Sequence, residues 1–364
     1  MSDNITSDFK HIVLNDIPLI DVRAPIEYKN GAFLNSINLP ILNDDERKQV
    51  GTTYKQKGDE EAVKLGYKLI SGEIKKKRVK AWIKAIKQNP QTILYCFRGG
   101  QRSQIAQSFI KQEGANITRL QGGYKAFRGF LLDYIENSPN LFTPFILGGR
   151  SGSGKTILLN KLNNSIDLEG LANHKGSSFG RGITPQPTQI NFENNLAYDL
   201  IKKVEAGYKN LIFEDEGKFV GSLYIPKPFA QYLSSAPLII LQEDTDKRIQ
   251  ATFDEYIVQS QMLYQRSNNH TFDDWVSDMQ KAVSRIRKRI GGQKFKELND
   301  IFNNALKQQQ STNSLEGYKN FVEFLLLQYY DPMYDYQITK RSNKILFKGT
   351  YDEVIKYINS SINK

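Results

Sequence analysis

The sequence predicts a two-domain α/β protein in which each domain is built on a parallel β-sheet. Two observations support this fold class. The chain has 364 residues, and a domain typically takes about 150. In each half of the chain, a short apolar run ends in a glycine-rich turn and is followed by an amphipathic segment. Strand–turn–helix units repeated in this way are typical of parallel sheets.

In the first half, two apolar runs predict strands, at Ile17–Arg23 and Thr92–Cys96. The second run is rich in β-branched and aromatic residues, which favour strands. The segment after it, "SQIAQSFIKQEGAN", has apolar residues at helical spacing. We expect this helix to begin at Ser103 as N-cap and to end near Gly114. The turn-rich segment Ile135–Pro144 then predicts a linker.

The second half opens with "FILGGRSGSGKTILLNKL", which predicts a strand, a glycine loop and a helix. Further buried strands are expected at Asn210–Gly217 and Pro237–Asp244. From about Asp246 to residue 330 the pattern becomes polar and helical. We therefore expect a first domain at residues 1–137 and a second at 138–364, with helical additions in the C-terminal region.

The bulk composition limits the functional classes. No apolar run approaches the roughly 20 residues that cross a bilayer, and the N-terminal segment does not have the pattern of a signal peptide. We therefore expect no membrane association. The formal net charge is +11. A basic chain favours polyanionic partners, nucleic acid above all, although a basic surface kept for solubility remains open.

The cysteine and histidine content points to a reducing compartment. A single cysteine, Cys96, cannot form an internal disulfide. The three histidines, His11, His174 and His270, are spread along the chain, so we expect no zinc site. Together these features favour a cytoplasmic protein.

The stretch "YCFRGGQRSQ" places Cys96 at the carboxyl end of a predicted strand, where sites of open α/β sheets collect. Gly99 and Gly100 let successive amides form an anion nest. Arg98, Arg102 and the following helix N-terminus add positive potential. A free cysteine has a pKa of about 8.5, and these groups favour its thiolate. We predict a reactive thiolate or a persulfide-type carrier; a buried structural cysteine is the alternative.

The second glycine loop contains Gly149-x4-Gly154-Lys155-Thr156, a full Walker A motif between a strand and a helix. Its backbone amides can surround a diphosphate, and Lys155 adds a point charge. Mg²⁺ could be held by Thr156 and Asp215, with Glu214 or Glu216 as the alternative acid. The predicted diphosphate-binding residues are Gly149, Gly152, Ser153, Gly154, Lys155, Thr156 and Asp215.

The first half resembles a rhodanese domain. The resemblance rests on "IDVRAPIEYKNGAF", the cysteine loop, and "RLQGGYKAF" at Arg119–Phe127. From Cys96 to Arg102 the loop has a C-x5-R pattern, one residue longer than in ordinary sulfur-transferring rhodaneses. Rhodanese-fold phosphatases and arsenate reductases also have this length. A phosphatase therefore remains open, although Tyr95 stands where cysteine-dependent phosphatases often have histidine.

A rhodanese domain followed by a P-loop domain resembles the tRNA 2-selenouridine synthase family over nearly the whole chain. Phe97, Gln101 and Gly217 depart from the residues usual in that family, but none removes a charged or nucleophilic group. The resemblance implies a rhodanese-like parallel-sheet domain followed by a P-loop NTPase-like α/β domain with helical C-terminal additions. The stretches that carry it further are Leu42–Gly58, Asp167–Gly180, Glu214–Gly221, Arg285–Phe295 and Tyr329–Gln337.

The resemblance implies a selenotransferase with geranyltransferase activity that acts on the wobble uridine of tRNA. Sulfur of 2-thiouridine would be replaced by selenium from selenophosphate, after geranyl diphosphate has geranylated that sulfur. Cys96 would handle the selenium, while Arg98, Arg102 and the loop amides would bind the oxyanion. The Walker A loop would bind the diphosphate of geranyl diphosphate. An enzyme that supplies selenophosphate is an implied partner. Mg²⁺ could serve as a cofactor.

Two further groups are candidate contacts with the substrates. His174, Ser177 and Arg181 belong to a glycine-rich stretch after the P-loop helix and could form a substrate loop; a mobile surface loop is the alternative. Arg285, Lys288 and Arg289 could contact tRNA phosphates, and Arg285 and Arg289 share a helix face; a solvated face is the alternative.

Two functions of other classes also remain open. One is a C-x5-R cysteine phosphatase or arsenate reductase fused to a kinase-like P-loop module. The other is a non-catalytic sensor that uses both domains to bind ligands, although the intact Cys96 and Lys155 argue against it.

Overall fold

The computed structural model describes residues 4–180, 182–341 and 344–362. They form two compact units. The first unit takes the chain up to Ser138 together with Thr188–Ala206, and the second takes Pro139–Pro187 and the chain from Gly207 onward. A segment inside the second half of the sequence therefore belongs to the first unit by packing.

The described residues form the following elements. The strands are β1 (Ile5–Thr6), β2 (Leu19–Asp21), β3 (Ser36–Asn38), β4 (Ile93–Tyr95), β5 (Thr118–Leu120), β6 (Thr143–Gly149), β7 (Ser165–Ile166), β8 (Asn210–Glu214), β9 (Phe219–Val220), β10 (Leu223–Tyr224), β11 (Leu238–Leu241) and β12 (Ile345–Gly349). The helices are α1 (Phe9–Leu14), α2 (Pro25–Asn30), α3 (Asp44–Lys57), α4 (Asp59–Leu69), α5 (Gly72–Gln88), α6 (Gln101–Gln112), α7 (Gly123–Asn137), α8 (Lys155–Leu159), α9 (Leu168–Ala172), α10 (Gln189–Glu205), α11 (Lys227–Ser235), α12 (Thr245–Phe253), α13 (Ser260–Arg266), α14 (Phe272–Ile290), α15 (Gly292–Thr312), α16 (Tyr318–Leu325), α17 (Asp331–Thr339) and α18 (Tyr351–Tyr357).

The first unit is built on a parallel sheet with the strand order β1-β5-β4-β2-β3. Every residue of the inner strands β2 and β4 is buried, as expected of a parallel sheet covered on both faces. Both predicted strands are confirmed, each in a shorter form. Cys96 comes directly after β4, at the carboxyl edge of the sheet.

The "IDVR" stretch stabilises this edge through a buried ion pair. Arg23 Nη2 lies 2.6 Å from Asp21 Oδ2 and donates to the carbonyl of Gly31 at 2.7 Å. Its guanidinium carbon lies 3.8 Å from the ring centroid of Tyr124. The pair thus ties β2 to the start of α7, next to the cysteine loop.

Polar contacts within the first unit explain why α10 belongs to it. Arg128 on α7 forms an ion pair with Glu193 and donates to Asn194 Oδ1 at 2.8 Å. The amide of Ala32 donates to Asn191 Oδ1 at 2.8 Å, and Asn194 Nδ2 donates to the carbonyl of Ala32 at 2.8 Å. These buried and partly buried polar groups therefore find their partners in the first unit.

The second unit has a parallel sheet with the order β12-β11-β6-β8-β7 and a separate hairpin of β9 and β10. The strands predicted at Asn210–Gly217 and Pro237–Asp244 are confirmed as β8 and β11. The helices expected after Asp246 are also confirmed, and Trp275 and Phe302 lie in their apolar core. Among the residues that the structure describes, no helix has the length and apolar composition needed to cross a bilayer.

Candidate functional site

Cys96 lies at the base of its loop and is 3% exposed. Its sulfur is 3.2 Å from Ser103 Oγ and 3.9 Å from the carbonyl oxygen of Gly100. Ser103 does not cap the helix as predicted, because α6 already begins at Gln101 with Gly100 as N-cap. Instead, Ser103 is buried, and its hydroxyl contacts the sulfur of Cys96. A shift of the loop is needed for a substrate atom to reach the thiol.

The loop beyond the sulfur carries unused hydrogen-bond donors. In the part of the chain that the structure describes, the backbone amides of residues 97–100 donate no hydrogen bond. Two hydrogen bonds fix the backbone of the loop. Arg119 Nη1 donates to the carbonyl of Gly99 at 2.6 Å, and the amide of Tyr124 donates to the carbonyl of Cys96 at 2.8 Å. Successive amides of this kind are the donors that an oxyanion uses in an anion nest.

The two predicted arginines have different environments. Arg102 Nη1 lies 2.6 Å from Glu27 Oε2, and Arg102 Nη2 lies 3.2 Å from Glu27 Oε1. Burial acts to raise the pKa of Glu27, but the hydrogen bond and charge of Arg102 outweigh it and hold that pKa below its ordinary value. Arg98 is exposed, with its guanidinium carbon 6.0 Å from the ring centroid of Phe97. Arg98 is thus the arginine that a ligand can reach without displacing a carboxylate.

Gly123 allows the cysteine loop to approach α7. Its φ is +58°, and a Cβ atom there would lie 2.3 Å from the Cys96 carbonyl oxygen and 2.4 Å from the Gly99 nitrogen. The left-handed backbone costs a non-glycine residue about 1–2 kcal/mol, and the clash adds to it. We expect Gly123→Ala to lower the free energy of unfolding by at least about 2 kcal/mol, measured by urea unfolding of the full chain.

Gly129 provides the matched control, because it lies in the same helix and a Cβ atom there would meet no atom within 4 Å. Alanine is favoured over glycine in helices by up to about 1 kcal/mol, so Gly129→Ala is expected to be neutral or stabilising. Equal unfolding midpoints for the two variants would contradict the close approach at Gly123.

The Walker A loop joins β6 to α8. Gly152 and Gly154 have φ values of +79° and +87°. A Cβ atom on Gly152 would lie 2.5 Å from Thr252 Oγ1, so this position requires glycine. Lys155 Nζ donates to the carbonyls of Gly149 and Arg150, at 2.8 Å and 3.3 Å. A bound diphosphate would compete for this ammonium group.

The acidic residue beside Thr156 is Glu214 rather than Asp215. Glu214 is 2% exposed; its Oε1 lies 3.5 Å from Thr156 Oγ1, and its Oε2 accepts from the amide of Glu169 at 2.9 Å. Asp215 forms an ion pair with Arg341. β8 ends at Glu214, and the side chain of Asp215, the next residue, turns to Arg341 instead of Thr156.

Three carboxyl groups, of Glu169, Glu214 and Glu216, lie close to Lys155. Burial, followed by mutual repulsion, raises the pKa of Glu214 to about 8 and that of Glu216 to about 9. Burial also raises the pKa of Glu169 and lowers that of Lys155, against the effect of the acids. Burial therefore disfavours the charged form of both the acids and the lysine at this site. A ligand whose own charge neutralises one of these groups is favoured.

These groups offer Mg²⁺ only a partial ligand set. Within the described ranges, no group of three His, Cys, Asp or Glu side chains has the arrangement of a metal site. Mg²⁺ usually takes one or two protein ligands together with phosphate oxygens and water. Thr156 and Glu214 are the residues that would hold it beside a diphosphate.

The predicted substrate loop lies after α9, near the carboxyl cluster. The amide of His174 donates to the carbonyl of Glu169 at 3.0 Å, and Ser177 Oγ lies 2.9 Å from Tyr256 Oη. A Cβ atom on Gly176 would lie 2.5 Å from a carboxyl oxygen of Glu169, so the loop backbone covers these acids. Arg181 lies outside the described residues.

A polar cavity of about 550 Å³ lies between the substrate loop and the C-terminal helices. His174, Phe179, Trp275 and Arg285 are among its lining residues, and Arg285 donates to the carbonyl of Ser178. The structure therefore brings one predicted tRNA-contact residue to the substrate loop. Two others, Lys288 and Arg289, are exposed, and Arg289 Nη1 lies 3.4 Å from Tyr329 Oη.

Arg248 holds the Walker A loop in place and was not predicted from the sequence. It is 1% exposed; its Nε donates to the carbonyl of Ser151 in the Walker A loop at 3.0 Å, and its Nη1 lies 2.9 Å from Asp331 Oδ2. Arg150 likewise bonds Asp335, with 2.7 Å between Nη2 and Oδ2. The loop is thus anchored to the tyrosine-rich segment near residue 330, a long-range pairing that leaves no local signal.

A thiol loop on one parallel sheet and a Walker A loop on another define a protein that combines a rhodanese-like domain with a P-loop domain. The family model of the rhodanese-like domain matches residues 7–129, and that of the tRNA 2-selenouridine synthase AAA domain matches residues 142–364. The chain belongs to the tRNA 2-selenouridine synthase family, and it is an enzyme.

Relatives match nearly the whole chain. A tRNA 2-selenouridine synthase of Sulfurovum sp. (strain NBC37-1) is 54% identical over 354 residues, which is 97% of either chain. Synthases of the same name from Hydrogenovibrio crunogenus and Shewanella frigidimarina are 45% and 43% identical, over 97% of this chain and 98% and 97% of theirs. Both predicted domain types are therefore confirmed.

Proposed function

We propose that this enzyme replaces the sulfur of 2-thiouridine at the wobble position of tRNA by selenium from selenophosphate, through an S-geranylated intermediate made from geranyl diphosphate. The observation that carries the proposal is that one chain has two loops whose backbone amides and basic side chains suit an anion, one beside a thiol and one with a Walker A motif. The two proposed donors are both phosphate compounds, and each needs such a site. tRNA modification on this route would take place in the cytoplasm, with selenophosphate supplied by another enzyme.

The geranyl step requires that a diphosphate leave as the carbon–sulfur bond forms. Diphosphate departs more easily when its negative charge is neutralised. The Walker A amides and Lys155 supply hydrogen bonds and one positive charge, and Mg²⁺ held by Thr156 and Glu214 would add to it. S-alkylation also removes the charge of the thiouridine sulfur, which makes it a better leaving group. No nucleotide hydrolysis is needed for either step.

The selenium step is assigned to the cysteine loop. The free amides of residues 97–100 and the exposed Arg98 are suited to the phosphate group of selenophosphate. The Cys96 thiolate would attack the phosphorus of selenophosphate, which forms a phosphocysteine and releases selenide. The selenide would attack C2 of the uridine, and the geranyl thiolate would leave. Because the chain has no second cysteine, water would then hydrolyse the phosphocysteine. Arg102, through its ion pair with Glu27, joins the start of α6 to α2.

Binding of tRNA is proposed to rest on the basic surface of the second unit. The net charge of +11 favours phosphate contacts, and Arg285, Lys288 and Arg289 are exposed on α14. The loop of His174 and Ser177, with the cavity beside it, is suited to an unstacked base, because RNA-modifying proteins read single-stranded bases on aromatic and polar side chains.

An omission experiment tests this function. The purified protein is incubated with tRNA that contains 2-thiouridine, and nucleosides are analysed by mass spectrometry. We expect S-geranyl-2-thiouridine with geranyl diphosphate alone, and 2-selenouridine once selenophosphate is added. Phosphate release from p-nitrophenyl phosphate without tRNA, together with unmodified uridine, would instead support the C-x5-R phosphatase or arsenate reductase alternative.

A further inference from the structure

The first unit contains an apolar cavity of about 610 Å³ between α3, α4 and the start of α6. The cavity is open to solvent on one side, and its volume lies in the range of about 300–1,000 Å³ that is usual for ligand-binding clefts. The apolar residues that line it include Val50, Tyr54, Ala62, Val63, Tyr67 and Ile105.

The helices that cover the cavity contribute little to the core. The buried residue of α3 is Glu46 and that of α4 is Ala62. Their larger apolar side chains line the cavity instead, and Tyr54 and Tyr67 remain 57% and 47% exposed. An amphipathic helix normally buries its apolar face against its own domain. A face left over an open cavity indicates a ligand that completes the packing.

The cavity adjoins the cysteine loop. Gln101 and Arg102, the first residues of α6, are among its lining residues. Gln101 Nε2 donates to Asp59 Oδ2 on α4 at 2.9 Å, which joins the loop's helix to the cover. Arg47 and Lys55 of α3 also line the cavity, so that an apolar interior is combined with basic groups. Such a site suits a ligand that joins an apolar chain to phosphates.

We propose that this cavity binds the branched apolar chain of about ten carbons that is attached to the nucleoside sulfur. The inference rests on the proposed function and deepens it. The diphosphate of the donor is assigned to the Walker A loop, so the chain that reaches the thiol-bearing unit is the one already transferred to the base. The cavity holds that chain while the modified uridine is at the Cys96 loop, and the basic groups of α3 face RNA phosphates.

Binding of chemically defined RNA tests the inference in the full-length protein. Two anticodon stem-loops are compared by fluorescence anisotropy, one with S-geranyl-2-thiouridine and one with S-methyl-2-thiouridine. Each buried methylene strengthens binding by about fourfold. We expect the geranyl form to bind at least tenfold more tightly. Equal affinities would overturn the inference.

Val63 and Glu60 offer a matched pair on α4. Val63→Trp fills the cavity and is expected to abolish the preference for the geranyl form. Glu60→Trp adds the same side chain where the carboxylate is 82% exposed, and is expected to keep the preference. Identical behaviour of the two variants would overturn the inference. Val63→Thr keeps the side-chain shape and adds a hydroxyl, and a several-fold loss is expected there even if Val63→Trp unfolds.

The two proposals fail separately. Absence of 2-selenouridine in the nucleoside assay would overturn the proposed function. A wild-type protein that forms 2-selenouridine equally well from S-methyl and S-geranyl RNA would overturn the role of the cavity alone.

Discussion

Replacing Cys96 with alanine is expected to lower 2-selenouridine formation at least about a thousandfold, as removal of a covalent nucleophile does in other enzymes. Geranylation of 2-thiouridine is expected to continue at the wild-type rate, because the diphosphate is assigned to the Walker A loop of the other unit. The measurement is nucleoside mass spectrometry after parallel reactions, one with geranyl diphosphate alone and one with pre-geranylated RNA and selenophosphate.

Cys96→Ser separates the chemistry of the sulfur from its packing. The serine hydroxyl keeps a polar group near Ser103 Oγ, which lies 3.2 Å from the sulfur, yet it is a far weaker nucleophile. We expect the serine variant to unfold at the wild-type temperature and to be as inactive in the selenium step as the alanine variant. If either variant still forms 2-selenouridine at the wild-type rate, Cys96 is not the nucleophile of the selenium step.

Local sequence patterns were sufficient to predict the strands that precede the cysteine loop and the Walker A loop. The apolar runs before Cys96 and before Gly149 became β4 and β6, because buried parallel strands read as continuous apolar stretches. The glycines at 152 and 154 were likewise readable, since their positive φ values are the backbone requirement that the Walker A spacing encodes.

Side-chain partners at the sites depend on contacts between distant segments and could not be predicted. The pairing of Asp215 with Arg341 and the contact of Glu214 with Thr156 follow from where β8 ends. Cys96 is buried because it belongs to the same apolar cluster as Val22 of the β2 edge and Ala106 of α6. β12 pairs with β11, a strand about 100 residues earlier in the chain. This pairing also could not be predicted from the local sequence.

The packing of α10 is a further case. A local sequence pattern does not identify the partner of a helix, and here the partner is fixed by the fit of Asn191 and Asn194 to the backbone of Ala32. Hydrogen bonds between residues about 160 positions apart leave no trace in spacing or composition. The return of residues 188–206 to the first unit therefore could not be predicted from the sequence.

Replacing Lys155 with alanine is expected to lower geranylation at least about a hundredfold, the usual size of losing one charged group that stabilises a leaving anion. Selenium transfer to pre-geranylated RNA is expected to remain at the wild-type rate, the reverse of the Cys96→Ala result. Lys161→Ala is the control, since Lys161 is exposed and its ammonium lies 5.1 Å from the ring centroid of Tyr351.

Labelled geranyl diphosphate and labelled ATP then decide what the Walker A loop binds. Lys155→Ala should weaken geranyl diphosphate binding while Lys161→Ala leaves it intact. Lys155 supplies the positive charge of the Walker A loop, so its loss should weaken the binding of any polyphosphate. Retained geranyl diphosphate binding with lost ATP binding in Lys155→Ala would make this loop a nucleotide site and move the geranyl donor elsewhere in the chain.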